Sequence, residues 1–118
     1  MTVGENSEIP VYLRLRGLLS AAILDGAYDE GDQLPSVRAF ASEHGANPLT
    51  VAKAYQSLQD DGYVAVRRGV GMFVADGAIA RLRNDERNRF MKVSWPRIRD
   101  HMNRIGIDLR SLINHESV

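Results

Sequence analysis

The sequence predicts a mainly α-helical fold carrying one small β-hairpin, and three observations predict it. Two short helical patterns, ending near His44 and Asp61, are separated only by Gly45, Ala46 and Asn47. Residues Tyr63–Val66 and Met72–Val74 alternate in the period-two manner of strands around a turn-rich Arg67-Arg68-Gly69-Val70-Gly71. From Ala78 onward the pattern is helical, with no further alternating run.

Taken in order, Pro10 opens a first helix that runs to about Asp25, just before Gly26, with Tyr12, Leu15, Leu19, Ala22 and Ile23 as its core stripe. Arg14 and Arg16 fall at solvated positions of this scaffold helix, against the alternative of a place near a phosphate. Tyr28-Asp29-Glu30-Gly31-Asp32 reads as a turn-rich loop. Ser36 can then cap a helix to His44, which Gly45 stops in the left-handed conformation. Asn47 caps the next helix, Pro48 occupies a first-turn position where a missing N–H costs nothing, and Gly62 ends it. Val51, Ala54, Tyr55 and Leu58 recur at helical spacing and face the core. The helix-turn-helix and the hairpin behind it make a winged helix-turn-helix, residues 1–76, with Asp76-Gly77 as its boundary.

Residues 77–118 form a short helical segment. Ile79 and Leu82 begin it, Arg83–Arg89 is a solvated ridge, and apolar residues return at Phe90, Met91, Val93, Trp95, Ile98, Met102 and Ile105. Pro96 calls for a kink or restart near Val93–Trp95, with Ser94 as a new cap. Gly106 stops this element, and Asp108 caps a last helix holding Leu109, Leu112 and Ile113. Some forty residues hold too little apolar material for a core of their own. Their stripe needs a partner, and a bundle with a second copy of the chain is the favoured one. Phe90, Trp95, Ile98, Met102 and Ile105 are its expected anchors.

Composition narrows the function. The 118 residues lack cysteine, which excludes a disulfide framework and thiolate metal sites and fits a reducing, cytoplasmic setting. No apolar run approaches the ~20 residues a membrane span needs, and MTVGENSEIP has no basic segment followed by an apolar core. The overall charge of zero is divided: residues 1–76 hold 6 Lys and Arg against 10 Asp and Glu, and residues 77–118 hold 9 against 5. Four of the six cations in the first part are Arg38, Lys53, Arg67 and Arg68, so docking to an anion depends on a local footprint and not on the sum. The acidic remainder weakens non-specific binding and makes it salt-sensitive. His44, His101 and His115 are far apart, no Gly-rich phosphate loop follows a strand, and Asp60-Asp61 reads as a solvated helix end. No catalytic, metal or cofactor site is expected.

The outer stripe of the second motif helix, Leu49, Ala52, Lys53 and Gln56, has no carboxylate until Asp60. Such a face suits a major groove walled by phosphates, and two adjacent arginines on a glycine-rich hairpin can reach phosphates or a minor groove. Double-stranded DNA is therefore the expected partner.

The chain resembles the GntR family of bacterial transcription regulators. The residues that carry the resemblance are Ile9–Leu13, Gly31-Asp32-Gln33-Leu34-Pro35-Ser36-Val37-Arg38, Asn47–Tyr55 and Arg67–Val74, roughly the first two-thirds of the chain. The short remainder is similar to that of the YtrA subfamily, whose small helical piece serves dimerisation. The resemblance implies a DNA contact at Arg38, by a guanine edge or a phosphate, against the alternative of a salt bridge with Glu43. It implies further contacts at Asn47, Pro48, Leu49 and Thr50, minor-groove entry by Arg68 and Gly69, and a backbone contact by Arg67. Larger members of the family often carry arginines where Pro48 and Ala52 stand here. Leu49 and Ala52 then offer apolar contact to thymine methyls, and Lys53 becomes the main cation of the helix. Met72 replaces a threonine of many relatives, which removes one hydroxyl.

The reading is a homodimeric repressor on an inverted-repeat operator, open to a small-molecule inducer of unknown identity. The alternative, a winged-helix adaptor that docks on protein, is separated from it by salt-dependent binding to the chain's own promoter.

Overall fold

A computed structural model describes residues 9–116; the reading of the first eight residues as free of a signal sequence lies outside them. Helix α1, Val11–Leu24, follows Pro10, whose extended backbone sets the entry, and Asp25 closes it. Helix α2, Val37–His44, is capped as its sequence requires: the Ser36 hydroxyl oxygen accepts the Ala39 N–H at 3.1 Å. Gly45 ends it at φ 61°, a left-handed value that favours glycine. Helix α3, Pro48–Asp60, starts on Asn47, whose Oδ1 accepts the Leu49 N–H at 2.8 Å.

Strands β1, Val64–Arg67, and β2, Gly71–Val74, pair antiparallel with Val64 opposite Val74 and Arg67 opposite Gly71. The first strand begins one residue later than its alternation predicts. Tyr63 gives its N–H to the Leu58 carbonyl at 3.0 Å, closing the end of α3. The link read as a plain loop has a larger part: Gly31 N–H donates to Val74, Val74 N–H to Asp32, and Leu34 N–H to Met72. Gln33 stands opposite Phe73 as an isolated bridge, so this segment borders β2 as a short third rung.

The chain falls into two compact units, one ending at Arg83 and one beginning at Asn84. The core of the first gathers Leu15, Leu19 and Ile23 from α1, Phe40 and Ala41 from α2, and Val51, Ala54, Tyr55 and Leu58 from α3. Tyr63, Val64 and Val74 close it from the hairpin side. Ala78 and Leu82, from helix α4 (Ala78–Arg89), belong to the same core, so the apolar start of the C-terminal segment is rooted there. Tyr55 is buried with its ring edge-on to Phe40 and donates its hydroxyl proton to the Pro35 carbonyl at 2.7 Å. Burial pushes that hydroxyl from 10.0 to about 12.

The ridge Arg83–Arg89, which passes from the first unit into the second, is exposed as its composition predicts. A π-helical turn, Phe90–Ser94, follows, in which the Trp95 N–H bonds to the carbonyl of Phe90, five residues back. Helix α5, Trp95–Ile105, continues from it with Pro96 in its first turn. Ser94 is not a cap: its backbone is helical and its side chain makes no capping bond. The widened turn accommodates a proline ring and a missing N–H without breaking the helix, so no restart is needed. Gly106 stops α5 at φ 76°, and helix α6, Leu109–Glu116, opens on Asp108, whose carboxylate accepts the Ser111 N–H at 2.7 Å. That backbone bond holds the Asp108 carboxyl below its usual value.

Candidate nucleic-acid interface

Helix α3 separates its faces cleanly. Val51, Ala54, Tyr55 and Leu58 are buried, while Pro48, Leu49, Ala52, Lys53 and Gln56 are exposed and Thr50 is half-buried. Leu49 is 80% exposed, at the start of a helix whose other large aliphatic residues are inside. Lone exposed leucines are common on proteins. This one, however, adjoins an exposed alanine, a lysine and a first turn without any acid. Gln56 gives its amide to Asp60 at 2.8 Å, so the first acidic side chain of the stripe is tied down at the far end of the helix.

The first turn of α2 also lacks a carboxylate, and it carries Arg38 instead. A cation there opposes the helix dipole, at a cost of a few tenths of a kcal/mol, unless an anion stands nearby. Arg38 is exposed, and among the described residues it forms no ion pair with Glu43 or any other acid. The N-terminal turns of α2 and α3 thus share backbone N–H groups with no competing acid, with Arg38 in the first turn of α2 and Lys53 in the second turn of α3.

The wing is a hairpin with its turn at Arg68-Gly69-Val70, where the Val70 N–H bonds to the Arg67 carbonyl at 2.9 Å. Gly69 sits at φ 78°, so the turn requires a residue without a side chain there. The Arg67 guanidinium lies 4.3 Å from the centre of the Phe73 ring. Phe73 is buried yet stands apart from the main core cluster, with the Arg67 guanidinium over its ring. Arg68 is exposed at the turn, without a partner among the described residues.

Three cations have roles that spacing alone did not reveal. Arg16, read as a solvated position, is half-buried. It pairs with Asp61 at 2.7 Å, donates to the Ser57 carbonyl and hydroxyl, and lies over the Tyr63 ring. Arg81 donates to the Gly62 carbonyl at 2.6 Å and stacks on the same tyrosine. Together they hold the corner between α3 and β1, so neither is spare charge for a ligand. Lys53 rests with its ammonium 4.3 Å from the Tyr12 ring. A residue on α1 therefore supports the one cation of the outer stripe of α3.

The five expected anchors of the C-terminal segment differ in exposure. Phe90, Ile98 and Ile105 are exposed, Trp95 is half-buried, and Met102 is already buried within the single chain. Among the described residues Met91, Val93, Leu109, Leu112 and Ile113 are exposed as well. No described helix is long and apolar enough to cross a membrane.

This arrangement has close counterparts. A family described as bacterial regulatory proteins of the gntR family matches residues 11–74, more than half of the chain and the whole stretch from α1 to the end of the wing. The transcriptional repressor YtrA of Bacillus subtilis is 36% identical over 76 residues, which cover 64% of this chain and 58% of YtrA. A GntR family transcriptional regulator from Listeria monocytogenes superposes with a TM-score of 0.74 at 26% identity, over 93% of this chain and 95% of that one. The DNA-binding domain of AraR, solved with its operator ORE1, superposes with a TM-score of 0.55 at 25% identity, over 57% of this chain and 82% of that one. With the family's stretch matched from the first helix to the last strand, the chain belongs to the gntR family of bacterial regulatory proteins.

Proposed function

We propose that this chain is a sequence-specific, DNA-binding transcriptional regulator, a homodimeric repressor that binds an inverted-repeat operator. The observation that carries the reading is the exposed strip Leu49–Ala52–Lys53 on α3, beside helix starts free of acid. Its likeness to an operator-bound AraR domain supports the same use of the fold.

Residues 1–76 supply the DNA contacts. Leu49 and Ala52 meet thymine methyls, Lys53 and Thr50 meet phosphate, and Asn47 and Pro48 fix the approach of the helix start. Arg38 reads a guanine edge or grips the backbone, Arg68 and Gly69 enter the minor groove, and Arg67, braced on Phe73, presents its charge to the backbone. Residues 77–118 join two copies through Phe90, Trp95, Ile98 and Ile105, while Met102, expected among these anchors, is buried within each chain and supports the segment from inside. A two-fold dimer then places two such heads on half-sites related by the same axis. The protein works in the cytoplasm without a catalytic centre or cofactor, open to a small-molecule inducer of unknown identity.

Electrophoretic mobility shift on the duplex immediately upstream of the chain's own gene tests the reading. Saturable binding that weakens steeply with salt is expected, and Arg38→Ala and Arg68→Ala each cost ~1–3 kcal/mol if they read bases. Binding indifferent to sequence, or both variants at wild-type affinity, would overturn the assignment.

A further inference from the structure

The segment that borders β2 does more than complete a sheet edge. Gln33 sends its side-chain amide across to the wing, where Nε2 donates to the Val70 carbonyl at 2.8 Å. Val70 belongs to the turn that carries Arg68 and Gly69, and its own N–H already bonds back to Arg67. The turn is therefore fastened at one residue from two sides. Gly71 records how closely the glutamine lies: a Cβ there would come within 2.5 Å of Gln33 Nε2, and its φ of 146° disfavours a side chain in any case. Meanwhile the backbone of Gln33 is bridged to Phe73, the ring on which Arg67 is stacked. Both supports of the wing thus meet at residue 33 and its strand neighbour.

From this we propose that Gln33 is a positioning residue of the DNA interface, a strap that fixes the height and angle of the wing turn and so aims Arg68 and Gly69. The inference rests on the regulator reading above for its ligand, and on the geometry of the free chain for its mechanism. A two-stranded hairpin with an exposed turn has little stability of its own. Its tip samples many orientations unless something outside the hairpin holds it, and each lost orientation costs entropy at the moment of binding. Gln33 meets that cost in the free protein. Arg67 on Phe73 anchors the base of the same finger, which leaves Arg68 as the cation at the turn that is free to contact a ligand.

Gln33→Met tests it, because methionine keeps the length and neutrality of glutamine and removes the donor. Two measurements are made on the full-length chain. In the first, the 15N heteronuclear NOE of the Gly69, Val70 and Gly71 amides is compared between wild type and variant without DNA. A drop confined to these amides, with the rest of the spectrum and the melting temperature unchanged, is the expected result; unchanged values overturn the strap. In the second, affinity for the labelled upstream duplex is measured in a cycle with Arg68→Ala. Gln33→Met alone is expected to weaken binding roughly three- to tenfold, the size of one hydrogen bond, and to have no effect once Arg68 is absent. A full loss that persists in the Arg68→Ala background means that Gln33 acts on the general fold and refutes the positioning role. If the wild type shows no binding to the duplex, the regulator reading fails, and the amide measurement alone decides whether the strap exists.

Discussion

Lys53 rests its ammonium 4.3 Å from the centre of the Tyr12 ring, a contact between the outer stripe of α3 and the first turn of α1. The two residues line a surface groove of about 250 Å³ with Gln56, Ser57 and Asp60. A lysine on a flexible four-carbon stem loses rotamer freedom when it grips a phosphate. A ring beneath it, contributing about 0.5–1 kcal/mol at an exposed site, narrows that freedom beforehand. Lys53→Ala is expected to lower the slope of log affinity against log salt by about 1, as for one phosphate contact. Tyr12→Leu is expected to weaken binding by roughly two- to fivefold, and to do nothing further in the Lys53→Ala background. Fluorescence anisotropy across a salt series measures both. A Tyr12→Leu effect that is additive with Lys53→Ala would show that the ring acts by itself.

Arg16 and Arg81 support α3 from its other end. Arg16 caps the last turn of α3 through the Ser57 carbonyl while pairing with Asp61, and Arg81 holds the Gly62 carbonyl. A cation at a helix C-terminus is favourable, and an Arg16 side chain shielded from solvent is worth more than a surface pair. Arg16→Ala is expected to lower stability by about 1–2 kcal/mol, since it removes a charge-assisted bond together with the pair. Asp61→Asn, with its partner still bonded to Ser57, should cost less. Urea denaturation followed by circular dichroism orders the two, and equal losses would mean that the ion pair carries the whole effect.

The helices of the first unit were legible because their ends carry local chemistry. Ser36, Gly45, Asn47 and Pro48 each act on backbone groups within four residues, so the signals that mark them are local. The buried stripe of α3 follows from periodicity alone. What the sequence did not disclose are partnerships across long separations. Arg16 finds Asp61, Lys53 finds Tyr12, and Gln33 finds Val70. Arg16, Lys53 and Gln33 are polar residues whose partners no local spacing marks; only the closing of the fold selects them. Pro96 shows the opposite failure. Its local rule was right that the helix is disturbed, but a π-helical turn absorbs the disturbance where a new cap at Ser94 was expected.

The Tyr55 hydroxyl gives a prediction in pH. It is a buried donor to the Pro35 carbonyl, and burial raises its value from 10.0 to about 12. Because the folded form keeps the proton longer than the unfolded chain does, this contribution is complete below pH 10.0 and is lost as pH rises toward about 12. Tyr55→Phe removes the titrating group and leaves the Pro35 carbonyl without its donor, so its melting temperature is lower at neutral pH. Its decline through the alkaline window is expected to be shallower than that of the wild type. Differential scanning calorimetry across that window measures the slopes; parallel curves would assign the alkaline loss to other groups.

The C-terminal segment presents more apolar surface than a solvated helix needs. Phe90, Ile98 and Ile105 are exposed along with Met91, Val93, Leu109, Leu112 and Ile113, whereas Met102 is inside. Exposed apolar side chains in this number suit an association site, and a second copy of the same segment is the partner proposed above. The exposures then separate two kinds of variant. Ile98→Asp places a charge in the joint and should yield monomers at micromolar concentration with the circular dichroism of the fold retained. Trp95→Ala, at a half-buried position, should shift the same equilibrium less. Met102→Ala opens a cavity inside the single chain, so it is expected to lower thermal stability by about 2–5 kcal/mol before it changes association. Sedimentation velocity over a concentration series, paired with thermal melts, distinguishes them. A wild type that sediments as a monomer throughout the micromolar range would remove the segment's role as a joint, and operator half-sites would then have to be filled by independent chains.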